Sequence, residues 1–169
     1  GEECYTYAVH IQGYETPAWG PRGSEGMAIA FLTGDRGGCH QRAFPVIYEA
    51  TGNYKDRRIE DGRSQKDKHI IVIEEQNLLA ALYSLTICDF ARSGIDTEKY
   101  LRLLDYCTGI QLTKQDFLKT GERIWNLIRM YNIREGWVQE LSYLPVKFRK
   151  PLPNGLMAGH CFSEYHEQQ

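Results

Sequence analysis

The residues best suited to chemistry lie in one short segment, TGDRGGCHQRAFP, which covers positions 33–45. It combines two adjacent glycines with Cys39, His40 and the guanidinium groups of Arg36 and Arg42. Glycines allow a backbone to approach a ligand closely, thiolates and imidazoles bind metals, and a cysteine near a base can act as a nucleophile. The segment therefore has four interpretations: a phosphate-binding loop, a metal site, a thiol nucleophile or a buried structural turn.

The surrounding sequence disfavours three of these interpretations without removing them. A phosphate loop would show GxxxxGK[ST] or GxGxxG after a strand, whereas neither pattern occurs and a predicted helix precedes this loop. Cys39 and His40 are adjacent, and adjacent side chains often point apart, so a structural cysteine is favoured over a nucleophile with its base. A zinc site needs four ligands, and the further candidates at Cys88 and at 160–161 are distant in sequence.

The composition is that of an ordinary globular protein. The 169 residues suit one domain or two small subdomains, and the formal net charge of −2 gives no indication of a nucleic-acid partner. No apolar run approaches the roughly 20 residues that span a bilayer, so no membrane partner is expected. Five widely spaced cysteines without a CxxC pair indicate a reducing cytoplasm, where most of them should be small buried side chains.

Helices on both sides must position the loop. Ser24 is placed to cap a helix that Gly34 ends, directly before the loop. Residues 69–90 are densely apolar and predict a second helix, although their β-branched first part could form a strand. Cys88 would lie on the apolar face of that helix, where its residue type alone indicates a core position.

Two amphipathic helices follow, each with a start signal. Asp96 is placed to cap the first, which Gly109 ends. Thr113 and Asp116 form an S/T-x-x-D/E signal for the second, which Gly136 ends. The predicted apolar face of that second helix contains Phe117, Ile124, Leu127, Ile128 and Tyr131.

The other segments read as strands, loop and tail. Residues 3–15 alternate and predict one or two short strands ending at Gly13. Residues 51–68 are polar without an apolar period and predict an exposed loop. Residues 144–155 contain three prolines and predict an extended tail that wraps a surface.

The order of these segments resembles the C-terminal domain of the tungsten-dependent aldehyde ferredoxin oxidoreductase family. That family shows a KGxExPAYDPR-like start, then GM, a short helix and RGGCH, and residues 13–45 here read GYETPAWGPRGSEGMAIAFLTGDRGGCHQRAFP. Four later segments look like further landmarks in the family's order, so the resemblance covers nearly the whole chain. They are SLTICDF (84–90), YLRLLDYCTGI (100–110), GERIWNLIRMYNIREG (121–136) and LPVKFRKPLPNG (144–155).

The resemblance implies a mainly α fold over residues 1–169: a multihelical C-terminal domain of this type, with a short β element near the N-terminus. The resemblance also implies that the chain is a fragment, because the sequence contains neither the family's N-terminal pterin-base domain nor its CxxCxxxC segment. The complete enzyme would oxidise an aldehyde to a carboxylic acid and pass electrons from a tungsten or molybdenum bis-pyranopterin through a [4Fe–4S] cluster to ferredoxin. We therefore expect ferredoxin, a small aldehyde and the enzyme's remaining domains as partners, and no activity in the isolated chain.

The resemblance also assigns site residues. Cys88 falls where the family has its fourth cluster ligand, and His40 falls where it has a histidine near the metal, suited to exchange a proton with the substrate. Tyr83 and Ile87 lie in the segment expected to contact the pterin. Arg36 would either meet phosphate or carboxylate groups or form salt bridges that hold the loop.

The segment before Cys88 departs from the family pattern D-x-x-G-L-C. Tyr83 replaces the aspartate that binds the pterin, and Thr86 replaces the glycine that allows close backbone approach. This departure favours an alternative, in which the chain is a non-catalytic helical interaction or assembly domain that keeps the family fold. The retention of Cys88 and His40 favours the enzyme.

Overall fold

A computed structural model describes residues 1–59, 67–138 and 143–162. Within these ranges the chain is mainly helical, with two short antiparallel hairpins, which confirms the predicted multihelical fold with a β element near the N-terminus. The helices are α1 (Glu25–Thr33), α2 (Val46–Thr51), α3 (Lys68–Ser84), α4 (Thr97–Thr108), α5 (Lys114–Arg134) and α6 (Val146–Arg149). The strands are β1 (His10–Ile11), β2 (Tyr14–Glu15), β3 (Asn53–Tyr54) and β4 (Arg57–Arg58).

The N-terminal hairpin places a short β element against the helical core. His10 pairs with Glu15 and Ile11 with Tyr14. Both residues of the connecting turn have a positive φ, +54° at Gln12 and +75° at Gly13, as in the tight turns that match strand twist. Ile11 is only 1% exposed, so this side chain anchors the hairpin to the core.

Helix α1 forms the centre of the first hydrophobic core. The hydroxyl of Ser24 accepts a hydrogen bond from the backbone N–H of Met27, which confirms the predicted cap. A helix that is apolar on nearly every side must be surrounded by other elements, and α1 is packed from several directions. The buried residues of this core are Ile11, Met27, Ala28, Phe31, Leu32, Leu144, Phe148 and Phe162.

Helices α3 and α5 cross in backbone contact at Gly121. A methyl group on this glycine would overlap the carbonyl oxygen of Asn77, so only glycine permits the observed approach. Helix α3 is continuous from Lys68, and the strand alternative for its first part is wrong. The second core lies beneath the crossing and contains Leu79, Ala81, Leu82, Tyr100, Leu101 and Phe117.

The predicted apolar face of α5 is correct in part. Phe117 is buried, but Leu127 and Tyr131 are 66% and 54% exposed. Gly121 determines which side of the helix faces α3, and this brings Trp125 into a half-buried position instead. The close approach of the two backbones, rather than the pattern of large apolar residues, therefore sets the rotation of α5 about its axis.

The local end signals of α4 and α5 are confirmed. Asp96 accepts a hydrogen bond from the backbone N–H of Lys99 at 2.9 Å, and Gly109 ends α4 in the left-handed region with φ +74°. Thr113 and Asp116 form the reciprocal capping box at the start of α5.

The loop and the tail are more structured than predicted. Strands β3 and β4 form a hairpin within the predicted loop, whereas residues 60–66 of that loop lie outside the described residues. Helix α6 interrupts the predicted extended tail, because Phe148 is buried in the first core.

Candidate functional site

The glycines of the 33–45 loop press it against the N-terminal hairpin. Gly37 has φ +81°, and a Cβ atom there would overlap the carbonyl oxygen of Ile11. A Cβ atom on Gly38 would lie 2.6 Å from Cγ2 of Thr16, which is also too close. The expected tight backbone approach thus occurs, and its partner is the hairpin of the same chain.

His40 is half-buried between aromatic rings at the outer side of this loop. Its ring centroid lies 5.5 Å from that of Phe44 and 6.4 Å from that of Trp19. Burial lowers the pKa of His40 below 6.5, with the Asp89 charge opposing that change and Arg36 reinforcing it. The imidazole is therefore unprotonated near neutral pH and has a nitrogen that can accept a proton.

Arg36 and Cys39 interact with each other within the loop. Nη2 of Arg36 donates to Sγ of Cys39 at 2.9 Å and lies 3.5 Å from Oε1 of Gln41. The hydrogen bond to Cys39 raises the pKa of Arg36. Cys39 is only 4% exposed, so the structure supports the buried structural cysteine over a nucleophile that must reach a substrate.

Tyr83 joins helix α3 to the far end of the loop. Its hydroxyl donates to the carbonyl oxygen of Gln41 at 2.7 Å, and the guanidinium of Arg42 lies 5.3 Å from its ring centroid. Burial raises the pKa of Tyr83 to about 12, with Asp89 adding to the increase. The phenol therefore remains protonated and acts as a donor inside the chain.

Cys88 lies in a short non-helical connection after α3 and is exposed to solvent. Its predicted place on a helix within the core is wrong, because α3 ends at Ser84. Ile87 is half-buried and packs against the second core. Thr86 has φ +56°, in the left-handed region, at the position where the resemblance places a glycine.

Asp89 links the two parts of the site. It directly follows Cys88, is 8% exposed, and its charge acts on both His40 and Tyr83. Asp89, next to Cys88 in the chain, thus contributes to the electrostatic environment of both His40 and Tyr83. Asp89 was not identified as a site residue from the sequence, although its place beside the candidate cluster ligand was the available signal.

A groove of about 590 Å³ opens beside His40. The loop contributes Gly38, Cys39, His40 and Gln41, and the hairpin contributes residues 13–17. Because one wall is glycine backbone and another carries an unprotonated imidazole, the groove can admit a ligand and exchange a proton with it.

The described residues do not form a metal centre by themselves. No group of three or more His, Cys, Asp or Glu side chains that could hold a metal occurs in the part of the chain that the structure describes. The zinc alternative at Cys39, Cys88 and 160–161 therefore has no support among those residues. The described part also contains no helix both long and apolar enough to cross a membrane.

The cysteines depart from the predicted burial. Cys39 is buried and Cys161 is intermediate, but Cys4, Cys88 and Cys107 are exposed. The expectation that most of the cysteines are small buried side chains is therefore wrong for these three.

Comparisons with known proteins identify the family of the chain. The family model described as "Aldehyde ferredoxin oxidoreductase, domains 2 & 3" matches residues 1–168. A tungsten-containing aldehyde ferredoxin oxidoreductase of Pyrococcus furiosus is 34% identical over 155 residues, which cover 90% of this chain and 25% of the relative. The protein with the same description in Thermococcus kodakarensis is 31% identical over 156 residues, covering 91% of this chain and 26% of the relative.

The chain thus spans about a quarter of the length of the curated relatives it matches. The match extends over nearly every residue of the chain, including the His40 loop, the Cys88 connection and the α3–α5 crossing. The chain therefore belongs to the aldehyde ferredoxin oxidoreductase family.

Proposed function

We propose that this chain is the C-terminal portion of a cytoplasmic enzyme that oxidises aldehydes to carboxylic acids with ferredoxin as electron acceptor. The complete protein would hold a tungsten or molybdenum bis-pyranopterin and a [4Fe–4S] cluster, and the isolated chain would be inactive. The family match and the names of the relatives support the chemistry. The observations that carry the proposal are that the thiol of Cys88 is exposed and that the half-buried, unprotonated His40 lines an open groove.

Cys88 fits the role of a cluster ligand. A [4Fe–4S] cluster takes four cysteine thiolates, and an exposed thiol at the end of a short connection can reach a group held by another part of the protein. Because no group of three or more metal-binding side chains occurs among the described residues, we infer that the other three ligands come from the rest of the complete protein.

The residue at position 83 fits a pterin-binding role less well. The hydroxyl of Tyr83 already donates to Gln41, and a phenol is a poor replacement for a carboxylate that accepts hydrogen bonds from amine groups. Arg36 likewise uses its guanidinium on Cys39. In this proposal Tyr83, Ile87 and Arg36 border the cofactor and shape its site, and the strong anchors are supplied by the rest of the protein.

His40 would act as the proton acceptor for the hydrated aldehyde. Its unprotonated nitrogen would take one of the three protons released as the hydrate becomes a carboxylate; the other two would pass to solvent and the two electrons to the cofactor. Phe44 and Trp19 lie beside the imidazole. When bound, the cofactor would supply the oxidation itself, and the cluster would carry electrons to ferredoxin. Arg36 and Asp89 oppose each other in setting the proton affinity of His40.

The test uses the complete protein that contains this chain. His40→Asn keeps a polar side chain but removes the base, and we expect kcat to fall by about 10²–10⁴ while the tungsten and iron contents stay unchanged. His69→Asn, at an exposed position on α3, is the matched control and should retain full activity. Unchanged aldehyde oxidation by the His40 variant would refute this role.

The second candidate is a non-catalytic helical interaction domain. Exposed apolar side chains on α4 and α5 favour it: Tyr106 is 74% exposed, Leu127 66% and Met130 69%. The reading frame distinguishes the two proposals. A CxxCxxxC segment upstream in the same frame supports the enzyme, whereas a start codon directly before Gly1 supports the interaction domain.

A further inference from the structure

Tyr83 makes two contacts that tie the His40 loop to helix α3. Its hydroxyl donates to the carbonyl oxygen of Gln41 at 2.7 Å, on the residue directly after His40. The guanidinium carbon of Arg42 lies 5.3 Å from the centre of its ring, within the range of a cation–π interaction. Because Tyr83 is more than 40 residues away in the sequence, these contacts fix the loop to a separate element of the fold.

The attachment continues from Arg42 to helix α5. Nε of Arg42 lies 3.1 Å from Oδ1 of Asp35, an ion pair whose angles fall outside hydrogen-bond geometry. Nδ2 of Asn132 donates to the backbone carbonyl of Asp35 at 2.7 Å. Helix α5 therefore holds the start of the loop while Tyr83 on α3 holds its end.

The two helices that provide these contacts, α3 and α5, are themselves fixed relative to each other. They cross in backbone contact at Gly121, which leaves no space for one to slide toward the other. On the opposite side, Gly37 and Gly38 seat the loop against the hairpin. His40 thus projects from a segment held between the hairpin and the α3–α5 pair.

We propose that Tyr83 is a positioning residue for His40: its hydroxyl and ring hold residues 41–42 on α3 and thereby fix the imidazole in its groove. This inference rests on the proposed function for the role of His40, whereas the attachment itself is a property of this chain. The departure from a carboxylate at position 83 then has a physical consequence. The side chain is used as a donor within the protein instead of as an acceptor for a ligand.

The first measurement is the rate at which a thiol reagent labels Cys39 in the 169-residue chain. Cys39 is 4% exposed and becomes accessible only when the loop opens, whereas the exposed Cys88 and Cys107 provide internal rate standards. Tyr83→Phe removes the hydrogen bond and keeps the ring beside Arg42. We expect labelling of Cys39 to become about fivefold faster, the change in a local opening equilibrium that corresponds to one neutral hydrogen bond.

The second measurement follows the His40 imidazole by NMR as a function of pH. Burial depresses its titration midpoint in the parent chain, and the charged groups that act on it, Asp89 and Arg36, are the same in the variant. A loosened loop exposes the ring to water, so Tyr83→Phe should move the midpoint up toward the ordinary histidine value. Tyr83→Leu, which removes the hydrogen bond and the ring, should move it further.

Two control variants separate positioning from general destabilisation. Tyr100→Phe deletes a buried hydroxyl without a hydrogen-bond partner in the described residues, and should leave Cys39 labelling and the His40 midpoint unchanged. Leu79→Ala removes part of the second core and keeps the hydroxyl of Tyr83, and it reports how far a general loss of stability accelerates Cys39 labelling.

The inference is overturned if Tyr83→Phe leaves both measurements unchanged, or raises Cys39 labelling only as much as an equally destabilised Leu79→Ala chain. Neither outcome affects the proposed function, since no cofactor or substrate is involved. Failure of the proposed function appears separately, as unchanged aldehyde oxidation after His40→Asn in the complete protein.

Discussion

Glu25 makes the stability of this chain depend on pH. Its side chain, at the first turn of α1, is 1% exposed, with Oε1 3.0 Å from Nε2 of His160. Its other oxygen, Oε2, is buried without a hydrogen-bond partner among the described residues. Burial raises the pKa of Glu25 from 4.5 to about 7, and the Glu49 carboxylate adds to the increase while Lys68 opposes it.

The direction of the pH effect follows from the tighter binding of the proton in the folded state. Protonated Glu25 stabilises the folded chain relative to the deprotonated form. This contribution is fully present below pH 4.5, where Glu25 is protonated in both the folded and the unfolded chain, and it is lost as the pH rises through 7. A difference of about 2.5 in pKa corresponds to about 3 kcal/mol at 1.36 kcal/mol per pKa unit. Glutamine is a neutral group of the same size, so Glu25→Gln should abolish this loss.

Urea denaturation of both chains at pH 5, 6, 7 and 8.5 measures the effect. We expect the free energy of unfolding of the variant to exceed that of the parent by about 1 kcal/mol at pH 5 and by about 3 kcal/mol at pH 8.5. Glu49→Gln is the matched control: it removes the partner of the buried Lys68, 2.7 Å away, and should destabilise the chain. Parallel pH profiles for the parent and Glu25→Gln would refute the reasoning.

Three further predictions concern the helix crossing, the Thr86 backbone and the metal content. Gly121→Ala forces α3 and α5 apart and should lower the free energy of unfolding by about 3 kcal/mol, whereas Gly94→Ala, with open space at its Cβ, should stay within about 0.5 kcal/mol in the same urea titration. Thr86→Gly removes the backbone strain of a β-branched residue in the left-handed region and should raise the free energy of unfolding by about 0.5–1 kcal/mol; a lower urea midpoint would contradict the assigned strain. The purified 169-residue chain should contain no tungsten, no molybdenum and no stoichiometric iron by elemental analysis, because one cluster cysteine cannot hold a four-iron cluster; near-stoichiometric iron with a cluster absorption band would contradict this.

Sequence patterns predicted the features of this fold that depend on nearby residues. Ser24, Asp96 and the pair Thr113–Asp116 cap their helices as expected, because a cap is a hydrogen bond between residues two or three positions apart. The resemblance to the family also gave the mainly α architecture, which no single element could indicate.

Features that depend on distant contacts were not predictable in the same way. Hydrophobic spacing placed Leu127 on the buried face of α5, but the position of Gly121 against Asn77 turned that side chain to solvent. Cys88 has a residue type typical of cores, yet it lies exposed because α3 ends at Ser84. The exposure of Leu127 depends on a contact between segments far apart in the sequence, whereas the exposure of Cys88 depends on where α3 ends.

The residues of the candidate site were likewise predictable only in part. His40 and Cys88 were found through motifs, whereas Asp89 emerged only from its charge acting on His40 and Tyr83 in space. Arg36 could have met a ligand or held the loop by salt bridges, and within this chain its guanidinium bonds Cys39. The sequence records residue types, but the use of each donor and acceptor depends on the folded contacts.

The identity of Cys88 as a cluster ligand is the central claim, and one comparison in the complete protein tests it. Iron content and the electron paramagnetic resonance spectrum of the reduced protein are measured for Cys88→Ala and for Cys107→Ala, which removes another exposed thiol, on α4. We predict that Cys88→Ala loses the [4Fe–4S] signal and most of its iron, while Cys107→Ala retains both. A four-iron cluster with an unchanged spectrum in Cys88→Ala would contradict the account.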